Sequence, residues 1–151
     1  MKRQVDYADL IARAARAREH AYAPYSQFRV GAALLARSGR VYTGCNIENV
    51  AWATVCAERT ALYKAVSEGE RGFVALAVVT RTGITPCGVC RQVLMEFAPD
   101  LEIIIADTAG HHRLTTLRAL LPDAFTPADL PAGSPTSDPP ECSAMTTLEA
   151  D

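Results

Sequence analysis

Residues 73–106 read FVALAVVTRTGITPCGVCRQVLMEFAPDLEIIIA, and this stretch decides the fold. Phe73 to Thr80 is a continuous apolar run of the length of one strand, and Leu101 to Ala106 reads as another buried strand. Strands with no polar alternation are buried on both faces, which is the pattern of a sheet covered by helices. Between them the sequence predicts a helix from about Cys87 to Phe97, with Val93, Leu94 and Phe97 turned inward and Pro99 ending it. Strand, helix and strand in this order form a crossover unit, which is right-handed in nearly all known sheets.

Upstream of this unit, Val30–Leu35 and Val41–Cys45 flank Ser38-Gly39 and read as an antiparallel hairpin. A helix fits Cys56–Ser67, with Ala57, Ala61, Leu62, Ala65 and Val66 on one face and Gly69 as its stop. Upstream, Leu10, Ala14, Ala17 and Ala21 recur at helical spacing, predicting an amphipathic helix over Asp6–Tyr22. Downstream, Asp107–Gly110 turns the chain into a short edge strand near Arg113–Thr115, followed by a last helix over Thr116–Leu121. The order α-β-β-α-β-α-β-β-α predicts an α/β fold, a mixed five-stranded sheet with helices on both faces.

A chain of 151 residues with 49% hydrophobic and 21% charged residues fits one domain able to bury a core. Residues 131–151 differ from the rest. They hold four of the nine prolines, many Ser and Thr, four acidic side chains and no Lys or Arg. A disordered C-terminal tail is expected there, leaving residues 1–130 as the folded domain. The net charge of −2 and the absence of any block of like charge argue against a nucleic-acid partner. No apolar stretch is long enough to span a bilayer, and no apolar signal core follows Met1-Lys2-Arg3, so a cytoplasmic protein without a membrane partner is expected.

Five cysteines without a secretory signal point to metal or catalytic use rather than a disulfide framework. Cys87 and Cys90 lie three apart on the first turn of one predicted helix, and Cys56 stands at the start of another. Helix starts favour thiolates. Three thiolates give Zn²⁺ three ligands of a tetrahedron and leave one position open, as in a catalytic site. Glu58 is placed beside that open position as a proton carrier. By itself the Cys-x-x-Cys also admits a buried apolar pair, a redox pair, or a structural four-cysteine site using Cys45. Cys56-Ala57-Glu58 together with Pro86-Cys87-Gly88-Val89-Cys90 matches the three-cysteine form of the zinc deaminase signature, whose glutamate is not a ligand.

The stretches Ala23-Pro24-Tyr25-Ser26-Gln27-Phe28, Val30 to Leu35, Gly44-Cys45-Asn46-Ile47-Glu48-Asn49, Cys56 to Leu62 and Pro86 to Gln92 extend that match. With them the chain, over about residues 20 to 130, resembles the small zinc-dependent cytidine deaminases. The resemblance implies a three-layer α/β/α subunit, a homotetramer, one Zn²⁺ per subunit, and hydrolytic deamination of cytidine and 2′-deoxycytidine in pyrimidine salvage. It assigns Cys56, Cys87 and Cys90 to zinc and Glu58 to carrying a proton to N3 of the ring. Arg59 is the residue expected to draw electron density off the sulfurs. Asn46 and Glu48 would hold the ribose, a use that suits an amide and a carboxylate two residues apart just past a strand. Phe28 and Ala57 would line the substrate site, and Phe125 would reach it from a neighbouring subunit.

His20, His111 and His112 fit no ligand pattern and are expected at the surface. The chain departs from the family at Asn49–Val55, one residue shorter than expected, where Trp52 stands near a usual tyrosine. That change bears on substrate range and leaves room for a related aminopyrimidine nucleoside of the blasticidin type. An idle zinc-stabilised interaction module is the alternative from another class, against which the intact Glu58 and ribose pair argue.

Overall fold

The computed structural model describes residues 5–131. Asp6 opens α1 (Tyr7–Glu19) by accepting the Asp9 N–H at 3.0 Å. The helix ends three residues earlier than the periodicity predicts. Tyr22 is taken into an extended pairing instead: its N–H donates to the Asn46 carbonyl and its own carbonyl accepts the Glu48 N–H. The hairpin forms as β1 (Gly31–Ala36) and β2 (Val41–Cys45). Then follow α2 (Ala57–Ser67), β3 (Phe73–Thr80), α3 (Gly88–Phe97), β4 (Glu102–Asp107), β5 (His112–Thr116) and the single turn α4 (Leu117–Leu120). β5 is longer than predicted, and the last helix is shorter because Thr116 is its cap, accepting the Ala119 N–H.

The five strands lie in the order β2-β1-β3-β4-β5. β1 runs antiparallel to both neighbours, β3 and β4 are parallel, and β5 is an antiparallel edge. Strand alternation sorts the core into two layers. Ala33, Leu35, Ala75, Ala77, Val79, Ile104 and Ala106 meet Leu10 and Ala14 of α1 on one face. On the other face Ala32, Leu34, Leu76, Val78, Ile103 and Ile105 pack against Leu62 of α2, Leu94 of α3 and Leu117 of α4. The expected α/β/α layering and mixed five-stranded sheet are therefore present.

Two glycines permit the helices to sit this close. A Cβ on Gly31 would lie 2.0 Å from the Ala14 carbonyl of α1, and one on Gly44 would lie 2.5 Å from the Ala57 carbonyl of α2. Gly44 brings the first turn of α2 against β2. Thr60 ties the same turn down, its hydroxyl donating to the Cys45 carbonyl at 3.0 Å. The expected tail falls almost wholly on residues 132–151, outside the described residues.

Candidate active site

The site forms where β2 and β3 end and α2 and α3 begin. Cys56 and Cys87 are the N-cap residues of those helices, so both thiols stand at helix N-termini. Cys90 follows in the first turn of α3, its N–H donating to Cys87 Sγ at 3.5 Å. The three sulfurs lie within 4.8 Å of one another, Cys56 Sγ and Cys87 Sγ being 3.7 Å apart. Cys90 is buried, Cys56 half-buried and Cys87 exposed, so one side of the cluster opens to the surface. Cys45 is not in the cluster, which excludes its use in a four-cysteine site.

The electrostatics favour thiolate. Hydrogen bonding from the Cys90 thiol, then from Arg59 and Cys87, lowers the Cys56 pKa to about 5 against the opposing effect of burial. Cys90 moves in the opposite direction, held up by its bond to Cys56 and by burial. The pair thus places negative charge on Cys56. Arg59 donates to Cys56 Sγ at 3.5 Å, and that contact raises its own pKa. Three soft donors at helix starts with a guanidinium beside them fit Zn²⁺ with an open fourth position.

Glu58, in the first turn of α2, is 4% exposed, and its Oε2 has no hydrogen-bond partner. Burial pushes its carboxyl up to about 7, the charge at Cys56 adding to the effect. A buried carboxylate oxygen without a partner is costly unless something else engages it. Its position beside the thiols is that of a group kept for a ligand.

A cavity of about 510 Å³ opens at this point, within the range of small-molecule sites. Phe28, Asn46, Glu48, Cys56, Glu58 and Cys87 all line it, so six of the residues read from the sequence share one cavity. Ala57 does not line it. Its methyl is fully buried in the core under α2. Phe125 is exposed and borders a different groove, near Met95 and Pro127, with its carbonyl accepting from Gln92 Nε2 at 2.8 Å. A larger groove of about 820 Å³ between the start of α1 and β5 contains neither the thiols nor Glu58.

Asn46 and Glu48 carry a second duty that their spacing did not reveal. Asn46 Oδ1 accepts the Val30 N–H and its Nδ2 donates to the Phe28 carbonyl, both at 2.8 Å. Glu48 accepts the N–H groups of Tyr25 and Ser26 and the Ser26 hydroxyl. These bonds hold its pKa below the ordinary 4.5 against the opposing effect of burial, the Ser26 hydroxyl contributing most, and the Phe28 N–H donates in turn to that hydroxyl. The pair therefore pins the segment that carries Phe28. An amide and a carboxylate retain spare bonding capacity beyond these contacts.

Sequence reading missed Arg91, which also lines the cavity, and Thr80, whose buried hydroxyl accepts the Gly83 and Ile84 N–H groups. Only the position of Arg91 directly after Cys90 signalled it. Trp52 adopts a positive φ of 60° and lies 82% exposed, with its ring 6.3 Å from that of Tyr25. His20, His111 and His112 are at the surface, His111 bonding Asp107 at 2.9 Å.

Residues 5–106 match the family model of the cytidine and deoxycytidylate deaminase zinc-binding region. A cytidine deaminase of Sporosarcina psychrophila is 52% identical over 130 residues, covering 83% of this chain and 96% of the relative. One of Halalkalibacterium halodurans is 50% identical over 130 residues, with 83% and 98% covered. Among solved structures, the cytidine deaminase of Burkholderia pseudomallei superposes with a TM-score of 0.77 at 49% identity, covering 80% of this chain and all of that one. That of Mycobacterium tuberculosis does so with a TM-score of 0.72 at 44% identity, covering 81% and 98%. The thiol cluster at paired helix starts and this similarity along most of the chain agree, and the chain belongs to the zinc-dependent cytidine deaminase family.

Proposed function

We propose that the chain hydrolyses cytidine and 2′-deoxycytidine to uridine and 2′-deoxyuridine, one water entering and one ammonia leaving per turnover. The observation that carries this reading is the convergence of three thiols within 4.8 Å beside a buried carboxylate whose Oε2 has no partner. Cys56, Cys87 and Cys90 would hold the Zn²⁺, which when bound would supply Lewis acidity at the open position. Glu58 accepts a proton on one side of the reaction and delivers it to N3 of the pyrimidine on the other. A pKa near 7 suits that task, since both protonation states are populated at neutral pH. Arg59 stabilises the thiolate form of Cys56 through its hydrogen bond.

The pyrimidine sits against Phe28, and the ribose hydroxyls engage Asn46 and Glu48 from the cavity side. Phe125 cannot serve its own site from the groove it borders, which supports its use by a neighbouring subunit and, with it, a homotetramer. A cytoplasmic salvage role fits a nucleoside substrate. No helix among the described residues is long and apolar enough to cross a membrane.

The test is Glu58→Gln, which keeps shape but cannot shuttle a proton. Turnover of cytidine should fall by about 10²–10⁴-fold while zinc content and melting temperature hold. Unchanged turnover rejects Glu58 as the proton carrier.

A further inference from the structure

The loop from β3 to α3 is secured in two halves by different residues. Thr80 holds the first half through the N–H groups of Gly83 and Ile84, at 2.9 and 3.1 Å. The second half, Thr85-Pro86, leads directly into Cys87. Pro86 has no N–H, so its backbone can be anchored only through its carbonyl. Arg91 supplies that anchor. Its Nε donates to the Pro86 carbonyl at 2.7 Å, one terminal nitrogen donates to Thr85 Oγ1 at 2.8 Å, and the other donates to the Leu120 carbonyl at 2.7 Å. The last of these lies at the C-terminal end of α4, where carbonyls lack helical partners and a cation is favoured. Among the described residues no carboxylate pairs with Arg91, so its charge is met by backbone and hydroxyl oxygens.

The bond from Arg91 to Pro86 closes a ring of chain that contains both Cys87 and Cys90. The two thiols are already tied by the Cys90 N–H to Cys87 Sγ and by the Arg91 N–H to the Cys87 carbonyl, and this ring adds a constraint from a side chain that contacts neither sulfur. We infer that Arg91 is a positioning residue, which fixes Cys87 against Cys90 by clamping Thr85-Pro86 to α3 and to the end of α4. The planar guanidinium is needed for this, because one ammonium cannot span three acceptors in diverging directions.

The inference rests on Cys87 and Cys90 binding zinc, so zinc bound per chain is measured first. Release of zinc to an excess of a colorimetric chelator is then followed for Arg91→Lys, Thr85→Val and the double variant, together with KM and kcat for cytidine. Arg91→Lys should release zinc at least ~10-fold faster, the scale on which groups that orient metal ligands act. Thr85→Val should shift release in the same direction by less. The double variant should match Arg91→Lys alone, because the two residues act through one bond.

Wild-type release rates in both single variants, or effects that simply add, overturn the inference while leaving the zinc site intact. A wild-type chain without zinc overturns the ligand assignment and the inference together. Should Arg91→Lys fail to fold, Thr85→Val decides alone: faster release supports the clamp, and an unchanged rate contradicts it. Zinc release needs no substrate, so a failure of the cytidine reading shows separately, as zinc held and released as expected without turnover.

Discussion

Cys87 and Cys90 are the side chains whose loss should be felt first. Replacing both with alanine leaves Cys56 alone, and one thiolate does not retain Zn²⁺ against buffer; metal analysis should find the variant empty, and retained zinc would contradict the ligand set. Glu48 gives a prediction of another kind. Its pKa is depressed by the Ser26 hydroxyl and by the Ser26 and Tyr25 N–H groups. A depressed folded-state pKa means stability that is present above the ordinary carboxylate value and lost as the pH falls through the lowered one. The melting temperature of the wild type should therefore exceed that of Glu48→Gln at neutral pH, with the gap closing in acid. A gap independent of pH would remove the charged Glu48 from the account. The thiols and Glu58 were legible because metal chemistry restricts residue type and spacing together. Arg91 was not, since an arginine reaching carbonyls leaves no pattern in sequence.

At the scale of elements, the site depends on how closely α2 approaches β2. Gly44→Ala should push the first turn of α2, with Cys56 and Glu58, off the sheet, because the added carbon would sit 2.5 Å from the Ala57 carbonyl and 2.6 Å from the Ala61 nitrogen. Overpacking of this kind costs ~1–3 kcal/mol, readable as a lower denaturant midpoint, and zinc retention should weaken with it. A variant as stable as the wild type would show that the helix shifts freely. Periodicity located all five strands and the three long helices. It overran α1, because Ala21 keeps the helical spacing while Tyr22 is recruited by Asn46 and Glu48, residues more than twenty positions away. It overestimated the last helix for a similar reason: Thr116 belongs to β5 through its pairing with Glu102. The first miss is a long-range hydrogen bond prevailing over local pattern; the second combines strand pairing with a local cap at Thr116.

For the whole molecule, the fold follows from a sheet whose two faces are covered by unlike helices, and the cavity lies at the end of that sheet where two helices start. Phe125, exposed and away from its own cavity, predicts that assembly and activity go together. Sedimentation should show a homotetramer at assay concentration, and a fully active monomer would remove Phe125 from the site. Asn46 and Glu48 line the cavity with capacity for sugar hydroxyls, and a site built around a hydroxyl partner rejects an analogue without it by ~10⁴ in favourable cases. The zinc-loaded chain should be compared for kcat/KM on cytidine, cytosine and CMP by ammonia release. Cytidine should be turned over efficiently, cytosine barely, and CMP poorly, since Glu48 repels a nearby phosphate. No ammonia from cytidine, or cytosine turned over as readily as cytidine, would contradict the account.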